Sequence, residues 1–138
     1  MKEDKLFFVG QKAFIEKDGK ILVLFDSKNR VDFPGGKIQD GEIDLRASLL
    51  REVNEETNLV VNVGDPFITW SFDLPEGHLH AGKAVFLVGY KCGYKDGGLT
   101  LSDEHSRYEW IGKADLGRID NSGGHFQVLK RYFDLMVE

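Results

Sequence analysis

The sequence predicts an α+β domain, on three observations. Apolar runs of strand length, Ile21–Phe25 and Ala84–Tyr90, stand in both halves of the chain. One long helix, Asp44–Thr57, follows the Pro34-Gly35-Gly36 turn, and a second is expected over residues 124–137. Strands before and after a long helix, with another helix behind them, layer as helices on a sheet. A chain of 138 residues, 41% hydrophobic with 10 Phe, can bury about two-thirds of its unfolded surface as one domain, residues 1–138. Repeats, linkers and low-complexity stretches are absent from it.

Taken in order, Leu6–Glu16 reads as a strand and Lys17-Asp18-Gly19-Lys20 as a hairpin turn with an Asp-Gly signal. Ile21–Phe25 has no polar alternation, so it is expected to be buried on both faces. Asp26–Asn29 is a polar loop, and Arg30–Phe33 leads into two glycines that permit a tight turn and close backbone approach to a ligand. After the long helix, Val60–Val63 starts a strand that Gly64-Asp65-Pro66 is expected to break. Phe67–Leu74 is a further strand, Pro75-Glu76-Gly77 a turn, and Lys95–Gly98 a loop. Tyr108–Ile111 is the last strand, with a short turn at Ala114–Leu116 and a break at Asn121–Gly124. The terminal helix places Phe126, Leu129, Phe133 and Met136 or Val137 on one face.

Composition excludes several functions. A net charge of −5 and a pI near 5.4 argue against a nucleic-acid polymer as partner. The opening MKEDKLFFVG carries acids and no long apolar run, so neither a signal peptide nor a membrane span is expected, and the location expected is cytoplasmic. The single Cys92 cannot form an intrachain disulfide and reads as a small buried thiol. A phosphate-binding P-loop fails because Ile38 follows Gly36-Lys37 where Ser or Thr is required. A twelve-residue calcium loop is missing too.

The chemistry concentrates in Arg51-Glu52-Val53-Asn54-Glu55-Glu56. On a helix, Glu52, Glu55 and Glu56 project from neighbouring turns of one face. Such like charges repel until a divalent cation sits among them, and hard oxygen ligands suit Mg²⁺ or Mn²⁺ rather than zinc. The alternative is a solvated acidic face with Arg51 paired to Glu55.

Phe33-Pro34-Gly35-Gly36-Lys37, then Gly41-Glu42, then this helix, together resemble the signature of the Nudix (MutT-like) hydrolases. Gly36, Glu42, Arg51, Glu52, Val53, Glu55, Glu56 and Leu59 fill the fixed places of that pattern. Two departures stand out. Eight residues, Ile43 to Leu50, separate Glu42 from Arg51 where the family has seven, and Asn58 stands where the family has Gly. Asn tolerates the left-handed backbone that a helix end needs. An extra residue inside the helix would rotate Glu42 by about 100° against the glutamates. It is therefore expected near Ile43 and Asp44, with Asp44 as N-cap and Leu45, Leu49, Leu50 and Val53 on the buried face.

The resemblance implies the Nudix fold, a mixed β-sheet sandwiched between α-helices, and Mg²⁺-dependent (Mn²⁺ as second choice) hydrolysis of a pyrophosphate bond. It implies metal ligation by Glu52, Glu55 and Glu56 with the backbone carbonyl of Gly36, and orienting roles for Arg51 and Glu42. Glu104, ahead of Tyr108–Ile111, matches the family's acidic loop residue, the alternative being an ordinary solvated acid. The general base stays open between Glu52 and Glu104. Arg30 and Lys37 are the nearest cations for substrate phosphates. Phe33, Trp70 and Phe72 could stack on a base, though core packing is favoured for each. His78 and His80 read as loop or pocket histidines. The partner implied is a nucleotide-type small molecule: a nucleoside triphosphate, an oxidised nucleotide, or an ADP-ribose or nucleotide-sugar substrate, with Pro75 about where ADP-ribose-cleaving members of the family carry a proline. The protein is expected to be a monomer or homodimer. The rival from another class is a Nudix-fold module that senses a nucleotide without cleaving it, but all three box glutamates are present.

Overall fold

The structure, a computed structural model, describes residues 2–136. Its strands are β1 (Phe7–Lys17), β2 (Lys20–Phe25), β3 (Val31–Asp32), β4 (Gly35–Lys37), β5 (Val60–Asp73), β6 (Ala84–Asp96) and β7 (Arg107–Ile111). Two helices, α1 (Leu45–Thr57) and α2 (Gly124–Leu135), and a short 3-10 helix at Lys113–Arg118 complete the chain. The strands form one mixed sheet in the order β3-β2-β1-β6-β5, with β4 beside β1 and β7 beside β2. β1 and β6 run parallel at its centre, and the other pairs are antiparallel.

The alternation of side chains along β1 and β2 explains why both faces are covered. Ala13 and Ile15 of β1 and Leu22 and Leu24 of β2 pack with Leu49 and Val53 of α1. Phe14, Ile21, Val23 and Phe25 point the other way and pack with Phe126, Leu129 and Phe133 of α2. The sheet is thus sandwiched between helices, as expected, and Ile21–Phe25 is buried on both faces. Asp18 and Gly19 both take positive φ, which the tight hairpin between β1 and β2 requires.

α1 starts where its cap dictates. Asp44 has extended backbone and its side chain accepts from Ala47 N–H at 3.1 Å. Ile43, just ahead, is 92% exposed, so the extra residue is accommodated outside the helix. Asn58 ends the helix at φ 63° and donates from its side chain to Gly98 O at 2.9 Å.

Four expectations are corrected. Gly64-Asp65-Pro66 does not end a strand: β5 continues through it with register shifts on either side of Pro66, because β6 lies alongside throughout. For the same reason β6 runs on past Tyr90 to Asp96, taking in Lys95 and Asp96. Leu50 is on the exposed side of α1, one residue off the stripe of Ser48, Leu49, Val53, Glu56 and Thr57 that faces the sheet. Met136 is 39% exposed rather than in the core, and Val137 lies outside the described residues. Tyr132 and Val128 take part in the α2 core instead.

Candidate active site

The buried stripe of α1 does not stay apolar. Glu52 and Glu56 lie one turn apart on the side that carries Ser48, Leu49 and Val53 towards the sheet, and they meet β4 where it consists of glycine. Gly35 N–H donates to Glu56 Oε2 at 2.7 Å. Glu52 Oε2 lies so close to Gly36 that a Cβ there would collide with it. Gly35 has φ +143°, and a Cβ on it would run into the Gln11 carbonyl of β1. The two glycines therefore let a helix carry carboxylates right up to sheet backbone.

A cavity of about 350 Å³ opens there, lined by these glycines, Lys37, Gln39, Arg51 and the carboxylates of Glu52, Glu55, Glu56 and Glu104. Arg51 donates to both carboxylate oxygens of Glu55, at 2.8 and 3.0 Å, and to Glu42 Oε2 at 3.1 Å. The other Glu42 oxygen accepts from Gln39 N–H at 2.7 Å. The guanidinium is thus spent between Glu55 and Glu42, with no hydrogen bond to Glu52 or Glu56. The ion pair of a solvated acidic face is present, but it accounts for only one of the three glutamates.

Burial raises the pKa of Glu52. Burial also pushes Glu56 up to about 8, and the adjacent Glu104 carboxylate adds to this against the lowering pull of Gly35 N–H and Lys12. Glu52 Oε1 is buried with no hydrogen-bond partner among the described residues. A buried carboxylate oxygen without a donor, among further carboxylates, fits a divalent cation of the hard type.

Behind the cavity lies a polar cluster that the sequence did not disclose. Asp32 is held by Lys12 Nζ at 3.0 Å and Phe33 N–H at 2.8 Å, and pairs with His105 Nε2 at 2.9 Å. These contacts keep the Asp32 carboxyl far below the usual range despite its burial, and Asp32 in turn raises the pKa of His105. His125 Nε2 lies 3.6 Å from Asp32 on another side, and its Nδ1 accepts from Trp70 Nε1 at 3.0 Å. Burial pulls His125 down to about 4. The only signal for this cluster in the sequence was that His105 follows Glu104; its contacts span 73 residues.

Arg30 is placed away from the glutamates. It pairs with Asp26 at 3.0 Å and lines a second cavity of about 360 Å³ with Phe72, Ser122 and His125. Lys37 does border the carboxylate cavity, its Nζ 5.4 Å from the Phe8 ring centre. Phe33 is fully buried and stacks on Phe14, Trp70 is partly buried, and Phe72 reaches the second cavity. His78 and His80 sit in an exposed turn, as loop histidines. Cys92 is buried and burial pushes its thiol up to about 11. Among the described residues, no helix is long and apolar enough to cross a membrane.

The family model that matches is the NUDIX domain, over residues 11–132. No curated protein matches the sequence. Among solved structures, the MutT protein from Methanosarcina mazei Go1 is 28% identical, with 97% of each chain covered and a TM-score of 0.77. A NUDIX-family hydrolase from Clostridium perfringens is 18% identical, covering 94% of this chain and 98% of that one at a TM-score of 0.73. A C. elegans Ap4A hydrolase is 19% identical, covering 94% and 97% at a TM-score of 0.72. The last two likenesses speak to the fold alone. The family model takes in both the glycines of β4 and the glutamates of α1 that form the cavity, and this chain belongs to the Nudix hydrolases.

Proposed function

We propose that the chain hydrolyses the pyrophosphate bond of a nucleoside diphosphate linked to another moiety, with Mg²⁺ or Mn²⁺ as cofactor. The observation that carries this reading is the convergence of Glu52, Glu55, Glu56 and Glu104 on one cavity beside the Gly35–Gly36 backbone. A pyrophosphate is crowded with negative charge, so its cleavage needs positive charge on the phosphoryl oxygens, a placed water and a base. A divalent cation held by Glu52, Glu55, Glu56 and the Gly36 carbonyl would supply the charge. Arg51 keeps Glu55 and Glu42 in fixed positions. Either Glu52 or Glu104, both on the cavity wall, would accept the proton from water. Lys37, on the cavity wall, is the side-chain cation for the phosphates. The organic moiety fits the second cavity, where Arg30, Ser122 and His125 offer polar contacts and Phe72 an aromatic face. Asp32 is bonded to His105, next in sequence to Glu104 of the first cavity, and lies 3.6 Å from His125 of the second. The substrates weighed are nucleoside triphosphates, oxidised nucleotides, and ADP-ribose or nucleotide sugars.

The test is a hydrolysis screen over these classes and dinucleoside polyphosphates, with Mg²⁺ or Mn²⁺, comparing wild type with Glu55→Gln. Cleavage of one class that falls about 100-fold or more in the variant, equivalent to about 2.7 kcal/mol of barrier, is the expected result. Nucleotide binding without cleavage of any class, unchanged by the substitution, would mark a sensing module instead.

A further inference from the structure

Glu56 on α1, and Glu104 and His105 ahead of β7, bring two carboxylate oxygens and an imidazole nitrogen within 4.8 Å of one another. The His105 side chain is only 7% exposed, and its Nε2 is bonded to Asp32 Oδ2 at 2.9 Å. Asp32 is itself pinned by Lys12 and the Phe33 N–H, so it serves as a fixed acceptor. In the neutral ring Nε2 then carries the hydrogen, and Nδ1 presents its lone pair. Nδ1 is buried and has no hydrogen-bond partner among the described residues. A buried imidazole nitrogen left without a partner is costly, which calls for a ligand. A carboxylate bonded to the far ring nitrogen is the support that metal-ligating histidines ordinarily have. The loop is not free to swing away. Ser102 N–H bonds Glu56 O and Thr100 N–H bonds Thr57 O, both at 3.0 Å, fastening it to the end of α1.

We propose that His105, beside Glu56 and Glu104, gives the cation held at Glu56 a nitrogen ligand through Nδ1, so that the site takes Mn²⁺ in preference to Mg²⁺. The inference rests on the reading of the glutamate cavity as a metal-dependent hydrolase site. Mg²⁺ demands oxygen ligands in near-ideal octahedral geometry, whereas imidazole favours transition ions. One imidazole in a carboxylate set therefore tilts the choice of ion without abolishing Mg²⁺ binding.

The experiment is pulsed electron paramagnetic resonance of Mn²⁺ added to the full chain, prepared once with ordinary nitrogen and once with ¹⁵N-histidine. The expected result is a ¹⁴N coupling of a coordinated imidazole that becomes a ¹⁵N coupling on labelling and vanishes in His105→Gln. Calorimetric titration should show the Mn²⁺ dissociation constant rising about tenfold or more in that variant, with Mg²⁺ changing less than about threefold. The isotope pair uses wild-type protein, so the presence or absence of a histidine ligand is decided even where the variant fails to fold, and His78→Gln with His80→Gln, both in the exposed turn, should leave the coupling in place. Mn²⁺ that binds in a Glu56-dependent way with no histidine coupling overturns the nitrogen ligand and leaves the hydrolase reading standing. Absence of Mn²⁺ and Mg²⁺ binding to wild type overturns both.

Discussion

Gly35 and Gly36 are neighbours in β4, yet alanine at each should fail for a different reason. At Gly35 the backbone has φ +143° and a Cβ meets the Gln11 carbonyl, which belongs to a sheet strand and cannot move aside. Gly35→Ala should therefore lose about 3 kcal/mol or more of stability. At Gly36 the obstacle is the carboxylate of Glu52, the far end of a flexible side chain. Gly36→Ala should stay within about 1 kcal/mol of wild type in urea unfolding, because Glu52 can rotate away. Its hydrolytic activity should fall at least about tenfold, since a displaced carboxylate no longer serves the cavity. Equal losses of stability in the two variants, or full activity in Gly36→Ala, would show that the close approach of helix to glycine is not what the site depends on.

At the scale of the element, α1 shows which features are legible locally and which are not. The Asp44 cap, the helix end at Asn58 and the Asp18-Gly19 hairpin are set by side chains acting within a few residues, and the sequence exposed all three. The double burial of Ile21–Phe25 was legible for the same reason, as an apolar run with no polar alternation. Gly64-Asp65-Pro66 misled because turn chemistry inside a long strand is tolerated as a bulge when a partner strand continues beside it, which no local pattern reveals. The glutamate cavity could be anticipated because its ligands cluster on one helix and match a known pattern. The Asp32, His105 and His125 cluster could not, since it joins β3, a loop and α2. The cap can be tested directly. Asp44→Ala removes the acceptor for Ala47 N–H and should lower stability by about 1 kcal/mol, measured by urea unfolding. If α1 is set by its cap, Asp44→Ser should recover most of that loss; no recovery would mean the side chain acts in some other way.

For the whole molecule, the buried His125 couples stability to pH across the contact between α2 and the sheet. Its pKa is pulled from the ordinary 6.5 down to about 4, chiefly by burial, with Lys12 and Arg30 adding to the shift and Asp32 and Asp26 opposing it. Between these two values the unfolded chain binds a proton that the folded one refuses. Stability contributed by neutral His125 is then present above pH 6.5 and lost as pH falls towards 4, with a slope of up to about 1.4 kcal/mol per pH unit. Two other groups work in the opposite sense. Glu56, raised to about 8, lets the folded state hold the extra proton above the ordinary carboxylate value of 4.5, and its contribution declines as pH rises. His105, raised by Asp32, does the same above 6.5. Wild type alone would blur these terms, so the quantity to measure is the difference between wild type and His125→Gln. Urea unfolding from pH 4.5 to 7.5, with chelator present to keep the glutamates free of cation, should show that difference growing in favour of the variant as pH falls. The lost Trp70 hydrogen bond displaces the whole curve but not its slope, because the indole does not titrate. Parallel curves for the two proteins would mean that His125 titrates in the folded protein as it does in the unfolded chain, and that α2 admits water to the ring.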